Sequence, residues 1–400
     1  MDDDLAFATA SRLAELVKAK KIGSVELLDF FASRVARFNP RLNAIIADRM
    51  DAARALCRQR DAQAARAAAD ELGPLHGIPM TIKESFDVPG LPTTWGLSEF
   101  RGNVAASPAT VVERLEAAGA VVFAKTNVPV NLADWQTFNP VYGVTNNPWN
   151  VERSPGGSSG GAAAALAAGL TPLEVGSDIG GSIRGPAHYC GVYGHKPTFG
   201  LVPRDGHALP GTYSHGDMAV AGPLARSAED LRLILEIIAG PDAIDGRATS
   251  LRLPAPAQRR LSDFRVGVML TSPAADVDAS VQNEIDKLAG WLEAQGARVD
   301  RGDLGIDHAL LHETYVMLLR SATSRRIAPE AFERLSAARQ ASEGRSDYFA
   351  WQARGNTLSH VEWLKWDNLR HQMRCEWDRL FQRFDLLLCP AAATPAMRHN

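Results

Sequence analysis

The stretch Ser154-Pro155-Gly156-Gly157-Ser158-Ser159-Gly160-Gly161 decides how this chain is read, together with Asp178-Ile179-Gly180-Gly181-Ser182-Ile183-Arg184, which opens 24 residues after it. Both segments present serine hydroxyls on a glycine-rich backbone. Glycines let backbone N–H groups approach a reacting oxygen closely. A serine is a poor nucleophile until a base takes its proton. Upstream, a lysine stands in an apolar approach, Gly77-Ile78-Pro79-Met80-Thr81-Ile82-Lys83-Glu84. A lysine serves as the base where a dry pocket keeps it neutral.

Other uses of a Gly/Ser run fit less well. A flexible linker has this composition, but this run leads into Ala162-Ala163-Ala164-Ala165-Leu166-Ala167-Ala168-Gly169, a strong helix former with a glycine stop. A phosphate-cradling loop needs a following Gly-Lys-Ser/Thr, which is missing here. The run matches Gly-x-Ser-x-Gly on Ser158 and on Ser159. A nucleophile elbow, however, requires a strand just before it. Asn147-Pro148-Trp149-Asn150-Val151-Glu152-Arg153-Ser154-Pro155 reads as loop.

With Cys190-Gly191-Val192-Tyr193-Gly194-His195-Lys196-Pro197-Thr198 added, the chain resembles the amidase signature hydrolases. The resemblance is dense from Leu75 to Asp242 and looser on the flanks. It implies that Ser182 is the nucleophile and Lys83 the base. Ser158 is the bridging serine, preceded by a cis peptide bond in this family. The backbone of Ile179, Gly180, Gly181 and Ser182 forms the oxyanion hole, while Ser159, Asp178 and Arg184 hold the loops. Elementary chemistry agrees. A hydroxyl both donates and accepts, so Ser158 can pass a proton from Ser182 to Lys83. A free lysine has a pKa of about 10.4 and must drop by roughly 3 units to work near neutrality. The neighbours Ile78, Met80 and Ile82 supply desolvation.

The implied reaction is amide hydrolysis through a covalent acyl-enzyme, with esters and carbamates as similar small-molecule substrates and no cofactor or metal. Trp135, Tyr142, His207 and Tyr213 are candidates for the substrate pocket. His76, His188, His195, His207 and His215 fall near the motifs without metal-ligand spacing, and read as packing or pocket lining. A Ser–His–Asp triad is open from the residues alone, but the family uses none. Two competing readings remain. The first is the ammonia-releasing A subunit of a tRNA-dependent amidotransferase, which hydrolyses glutamine in a complex. The segment Gly216–Pro223 looks less like that protein's usual stretch. The second is a non-catalytic binding protein on the same fold. Retention of Lys83, Ser158 and Ser182 argues against it.

The remaining sequence sets bounds. A chain of 400 residues, 46% hydrophobic, can bury a large core. The net charge of −3 and the lack of basic runs disfavour nucleic acid. No apolar run long enough for a membrane span is present. The acidic start Met1-Asp2-Asp3-Asp4 lacks a signal-peptide pattern. Cys57, Cys190, Cys375 and Cys389 form no C-x-x-C pair and read as reduced thiols, so a cytoplasmic protein is expected, with a homodimer as one option.

The expected fold is α/β: one domain over residues 1–400, with a large mixed central sheet covered by helices. Residues 75–242 would form the signature core and 300–384 a helix-rich peripheral part. A helix is expected after Gly23-Ser24, with Val25, Leu27, Leu28, Phe31 and Val35 on its apolar side. Val111–Gly119 reads as a helix with a glycine stop, and Ala120–Ala124 as a buried strand. Ser227 and Asp230 resemble a capping box before Leu231, Ile234, Leu235 and Ile238. Arg265–Leu270 and Asp385–Cys389 are further strand candidates. The segment His308–Phe384, with Trp351, Trp363, Trp366 and Trp377, reads as helices packed on the sheet or as a lid. Family members usually continue past the segment matching Asp385–Pro390, so the expectation is either a natural short form or a C-terminally truncated fragment.

Overall fold

The strands that carry the motifs are buried on both faces, the pattern of strands covered by helices. A computed structural model describes residues 3–258 and 260–400, so Met1 and Asp2 of the acidic start lie outside the described residues. The chain forms two compact units: residues 1–215, 219–253 and 396–400, and residues 216–218 with 254–395. The proposed signature core falls in the first unit except for 216–218, and residues 300–384 fall in the second.

The first unit contains β1 (Ile45–Asp48), β2 (Pro79–Lys83), β3 (Val121–Thr126), β4 (Phe138–Asn139), β5 (Gly143–Val144), β6 (Leu173–Asp178), β7 (Tyr193–Gly194) and β8 (Val220–Ala225). β2 pairs with β3 in parallel and β1 pairs with β3 antiparallel. β8 lies between β6 and β7, antiparallel to both. The mixed strand layer therefore comprises two three-stranded ladders. Side chains tie them where β2 runs beside β6: the Thr81 N–H donates to Thr171 Oγ1 (3.1 Å) and the Thr81 hydroxyl to Glu174 Oε1 (2.6 Å).

Helices Ala10–Lys18, Ser24–Leu42, Thr110–Ala117 and Ala228–Ile238 cover this layer. Leu27, Leu28 and Phe31 fall at helical spacing and are fully buried with Leu13, Val112, Leu115 and Ile234. Each such side chain contributes roughly 1.5–3 kcal/mol. The start of the second helix is capped from afar, since Asp61 accepts from the Ser24 and Val25 N–H groups (2.6 and 3.2 Å). The capping box expected at Ser227 is only half formed. Ser227 Oγ accepts from the Asp230 N–H (3.1 Å). The Asp230 carboxylate instead takes the N–H groups of Ala10 and Ser11 (2.8 and 3.0 Å), capping a helix more than 200 residues away.

The second unit is built on β9 (Arg265–Val268), β10 (Arg298–Asp300) and β11 (Leu386–Leu388), all parallel, with β9 central. The two strand candidates are thus present but shorter than expected. Asp385 stays outside β11 because its carboxylate receives the Arg265 N–H and guanidinium. Helix Ala279–Ala294 connects β9 to β10. Helices His308–Thr323, Pro329–Ala341, Tyr348–Asn356 and His360–Arg383 occupy most of the segment 308–384. Trp377 packs beside Leu304, Leu380 and Phe384. Among the described residues, no helix is long and apolar enough to cross a membrane.

Candidate active site

Lys83 is the last residue of β2, and its side chain is fully buried. Its amine donates to Ser158 Oγ (2.7 Å) and to Ser177 Oγ (3.0 Å). The peptide bond between Gly157 and Ser158 is cis. Burial pushes the Lys83 amine down to about 7, against the pull of Asp178, Glu174 and Glu84. Near neutrality this lysine therefore exists in both forms, and the neutral form can accept a proton.

Ser182 is buried and lies in the loop between β6 and helix Arg184–Cys190. Its carbonyl accepts from the Ser159 N–H (3.1 Å), which links the two serine motifs through backbone. Ser159 Oγ donates to the Ser177 carbonyl (3.3 Å). Close packing here requires glycine at 176, because a Cβ there would lie 2.7 Å from Ser159 Oγ.

Asp178 shapes the loop that carries Ser182. Its carboxylate accepts the N–H groups of Gly181 (2.9 Å), Ile183 (2.9 Å) and Arg184 (3.3 Å). It also pairs with the Arg184 guanidinium at 3.1 and 2.8 Å. Burial raises the Asp178 pKa, but Arg184 and the loop amides outweigh it and hold the carboxyl below its ordinary range. The oxyanion assignment changes accordingly. Gly181 sits at φ +106° with its N–H turned to Asp178. That amide is spent on the loop, so the expected donors reduce to the N–H groups of Ile179, Gly180 and Ser182.

The four pocket candidates separate. Trp135 is 61% exposed, and its indole N–H donates to the Gly180 carbonyl (3.1 Å), so it braces the loop that carries Ser182. Tyr142 places its hydroxyl 3.4 Å from Glu84 Oε1, and burial raises its pKa to about 12. His207 is buried against Phe86 and Trp95, with Nε2 3.0 Å from Ser85 Oγ. Burial keeps its imidazole neutral. Tyr213 is 95% exposed, and the structure does not bring it to the other three.

Glu84, Ser177 and Glu174 belong to this region; Glu84 closes the Gly77–Glu84 stretch without a role assigned to it, and no motif singles out Ser177 or Glu174 in the sequence. Glu84 accepts the Thr94 N–H and hydroxyl (2.6 and 2.7 Å) and the Trp95 N–H (3.0 Å). Two signals point to them: Glu84 and Ser177 adjoin motif residues, and Thr81 shares a strand face with Lys83. All four cysteines are unbridged. Cys190 is buried, and burial raises its thiol pKa far above neutrality, which disfavours the thiolate. Among the described residues, Asp205, His215 and Asp242 form one surface group of metal-ligating type, with His215 Nε2 3.9 and 4.0 Å from the two carboxylates.

The family model for amidases matches residues 26–400. The chain belongs to the amidase signature family. The A subunit of glutamyl-tRNA(Gln) amidotransferase from Symbiobacterium thermophilum is 37% identical over 320 residues, covering 79% of this chain and 64% of its own length. An acylamidase of Rhodococcus erythropolis is 42% identical over 248 residues, 61% of this chain and 50% of its own length. The chain thus spans less than two thirds of these curated relatives. The solved structure of a bacterial aryl acylamidase superposes with a TM-score of 0.80 at 27% identity, covering 98% of this chain and 81% of that one.

Proposed function

We propose that this amidase-family chain hydrolyses an amide C–N bond by acyl transfer through Ser182. The observation that carries this reading is the buried Lys83 amine 2.7 Å from Ser158 Oγ, beside the Asp178-organised loop that presents Ser182. The Ser182 oxygen bonds to the carbonyl carbon, and its proton passes through Ser158 to Lys83. The oxyanion rests on the N–H groups of Ile179, Gly180 and Ser182. As the C–N bond breaks, the proton returns through Ser158 to the departing amine. Water, activated by the same relay, then cleaves the acyl ester and restores Ser182. Esters and carbamates present the same carbonyl chemistry.

A second reading has support of its own. The relative named as an amidotransferase component matches more of this chain than the acylamidase does, 79% against 61%. In that reading the amide is glutamine and the ammonia serves a partner. The two share the reacting groups and differ in substrate and dependence on a partner. The discriminating experiment measures ammonia or amine release by the purified chain alone from aliphatic amides, aryl amides and glutamine, beside a Ser182→Ala control. Turnover of simple amides without a partner supports the stand-alone hydrolase. Glutamine turnover that appears only with partner subunits supports the second reading. No Ser182-dependent turnover of any amide, ester or carbamate under either condition overturns both in favour of a binding protein.

A further inference from the structure

The Lys83 amine has three oxygens around it, and two of them belong to one residue. Ser158 Oγ stands at 2.7 Å, Ser177 Oγ at 3.0 Å and the Ser177 carbonyl at 3.5 Å, the outer limit of a hydrogen bond. Ser177 is buried on β6, one residue before Asp178. Its place is fixed by the pairing of β6 with β8, where it lies opposite Ala221. Its carbonyl also accepts from Ser159 Oγ (3.3 Å), so this one residue touches both the lysine and the first serine motif. The reaction described above assigns Ser177 no part.

The hydrogens of the amine limit how these oxygens can be used. A lysine ammonium carries three N–H donors and no acceptor, so it can donate to all three. The neutral amine keeps two N–H groups and gains a lone pair. For the relay to run, that lone pair must face Ser158, whose hydroxyl delivers the proton. The two remaining N–H groups then fall to the hydroxyl and the carbonyl of Ser177. Among the described residues, no carboxylate hydrogen-bonds this amine. Asp178, at the end of β6, is held by Arg184 and loop amides. Glu84, next to Lys83, is held by Thr94 and Trp95. Glu174, on β6, is bonded to Thr81 and to the Val175 N–H. His207 is neutral and bonded to Ser85.

We propose that Ser177 is a positioning residue for the proton relay: it takes the two N–H groups of neutral Lys83 and so turns the lone pair of the amine to Ser158. The inference rests on Lys83 acting as the base. Losing the Ser177 hydroxyl acts in two opposite directions. One N–H is left without its acceptor, so the amine rotates more freely about its Cε–Nζ bond. Its lone pair then faces Ser158 for less of the time, and the rate with neutral lysine falls. The ammonium, however, makes the stronger bond to the same hydroxyl, because it is charged. Removing that hydroxyl therefore disfavours the charged form, and the lysine becomes neutral at lower pH.

The readout is the rate at which a fluorophosphonate probe labels Ser182, measured between about pH 5.5 and pH 9, on either side of the lysine's titration. Labelling forms the Ser182 O–P bond and expels fluoride, with the proton passing through Ser158 to Lys83, so it needs no known substrate. In Ser177→Ala the plateau rate at high pH should fall by about three- to tenfold, the scale of one hydrogen bond converted to rate. The acidic limb should move to lower pH by roughly half a unit to one unit, the difference between a charged and a neutral hydrogen bond. The rates of wild type and variant should thus converge in acid. Ser177→Cys keeps the size, weakens the acceptor and should behave in the same way, which serves where the alanine variant does not fold. Ser177→Thr keeps the hydroxyl and should hold both rate and limb near wild type. A merely structural role would lower the rate with the limb in place, and that result overturns the proposal. So does a threonine variant that folds but behaves like the alanine one. A faster plateau in Ser177→Ala overturns it as well, since the hydroxyl would then be occupying the lone pair instead of freeing it. Each of these outcomes leaves Lys83 as the base. Labelling of Lys83→Ala at the wild-type rate overturns the base itself, and this inference with it.

Discussion

Trp135 and Asp178 hold the opposite ends of a single peptide group. The Gly180 carbonyl accepts from the Trp135 indole at 3.1 Å, and the N–H of the same peptide, on Gly181, donates to Asp178 at 2.9 Å. A peptide plane clamped at both ends cannot rotate, so the amides of Gly180 and Ser182 on either side are fixed in direction. Oxyanion donors act through such preorganisation, because no reorganisation is left to pay for at the transition state.

Asp178 should therefore matter for both stability and rate. Asp178→Ala leaves the Gly181 and Ile183 N–H groups without their acceptor. Each buried donor so orphaned costs about 1–3 kcal/mol. The loss should show in urea unfolding, and Ser182-dependent turnover should fall with it. The sign of the pH dependence follows from a carboxyl held below its ordinary range. Its stabilisation is present above the unfolded value near pH ~3.9 and fades as pH falls through the lower folded value. The difference between wild type and Asp178→Ala should thus be full at neutrality and shrink in strong acid. Equal stability of the two proteins at pH 7 would contradict this role.

Lys83 should show opposite effects on activity and on stability. Lys83→Met removes the proposed base, and turnover should drop by roughly 10²–10⁴-fold. The fold, however, should gain. The unfolded lysine titrates near 10.4 and the folded one at about 7, so between those values the unfolded chain binds the extra proton. Stability therefore declines as pH falls from about 10.4 towards 7 and is flat below. The gain in Lys83→Met should be largest below pH 7 and smaller at pH 9, read as midpoint shifts in denaturant. A variant no more stable than wild type at pH 6 would show that the buried ammonium carries no such penalty.

Much of this site is readable because its parts are local in sequence. Asp178, Ser182 and Arg184 sit within one turn-forming segment, and the glycines between them state the backbone requirement. Lys83 and Ser158 are readable only as separate motifs of fixed order. What is not readable depends on which strands become neighbours. Glu174 meets Thr81 because β2 lies beside β6, a juxtaposition of distant segments that leaves no local periodic signature. Asp230 looks like half of a local capping box, yet it serves a helix from the other end of the unit. The division into two units is hidden by the lack of a polar linker. Its boundary falls at Leu253-Pro254-Ala255-Pro256, too short a proline-rich signal to stand out.

Ser182 should be the residue that carries the acyl group. A fluorophosphonate adduct mapped by mass spectrometry is expected on Ser182 and absent from Ser182→Ala. Ser158 is the nearest competitor, but its hydroxyl is engaged by Lys83 at 2.7 Å. Ser159 is turned to the Ser177 carbonyl, and the Cys190 thiol stays protonated in its buried position. An adduct on Ser159 or Cys190 with Ser182 unmodified would assign the chemistry elsewhere.

Trp135 and Tyr213 give a paired test of the clamp. Both are exposed aromatic residues that the sequence places near the pocket, at 61% and 95% exposure. Of the two, Trp135 reaches the loop that carries Ser182, through its indole N–H to the Gly180 carbonyl. Trp135→Phe keeps an aromatic ring and deletes that donor. One hydrogen bond at an exposed site is worth about 1 kcal/mol, so the unfolding midpoint should barely move. The rate should respond more, because the lost bond frees the peptide that orients the oxyanion donors. A several-fold fall in the Ser182 labelling rate is expected, on the scale of that same 1 kcal/mol converted to rate. Tyr213→Ala makes no comparable change to the loop and should label at the wild-type rate. Equal labelling by Trp135→Phe and wild type would mean that Asp178 alone fixes the peptide. Slow labelling by Tyr213→Ala would place its loop over the serine.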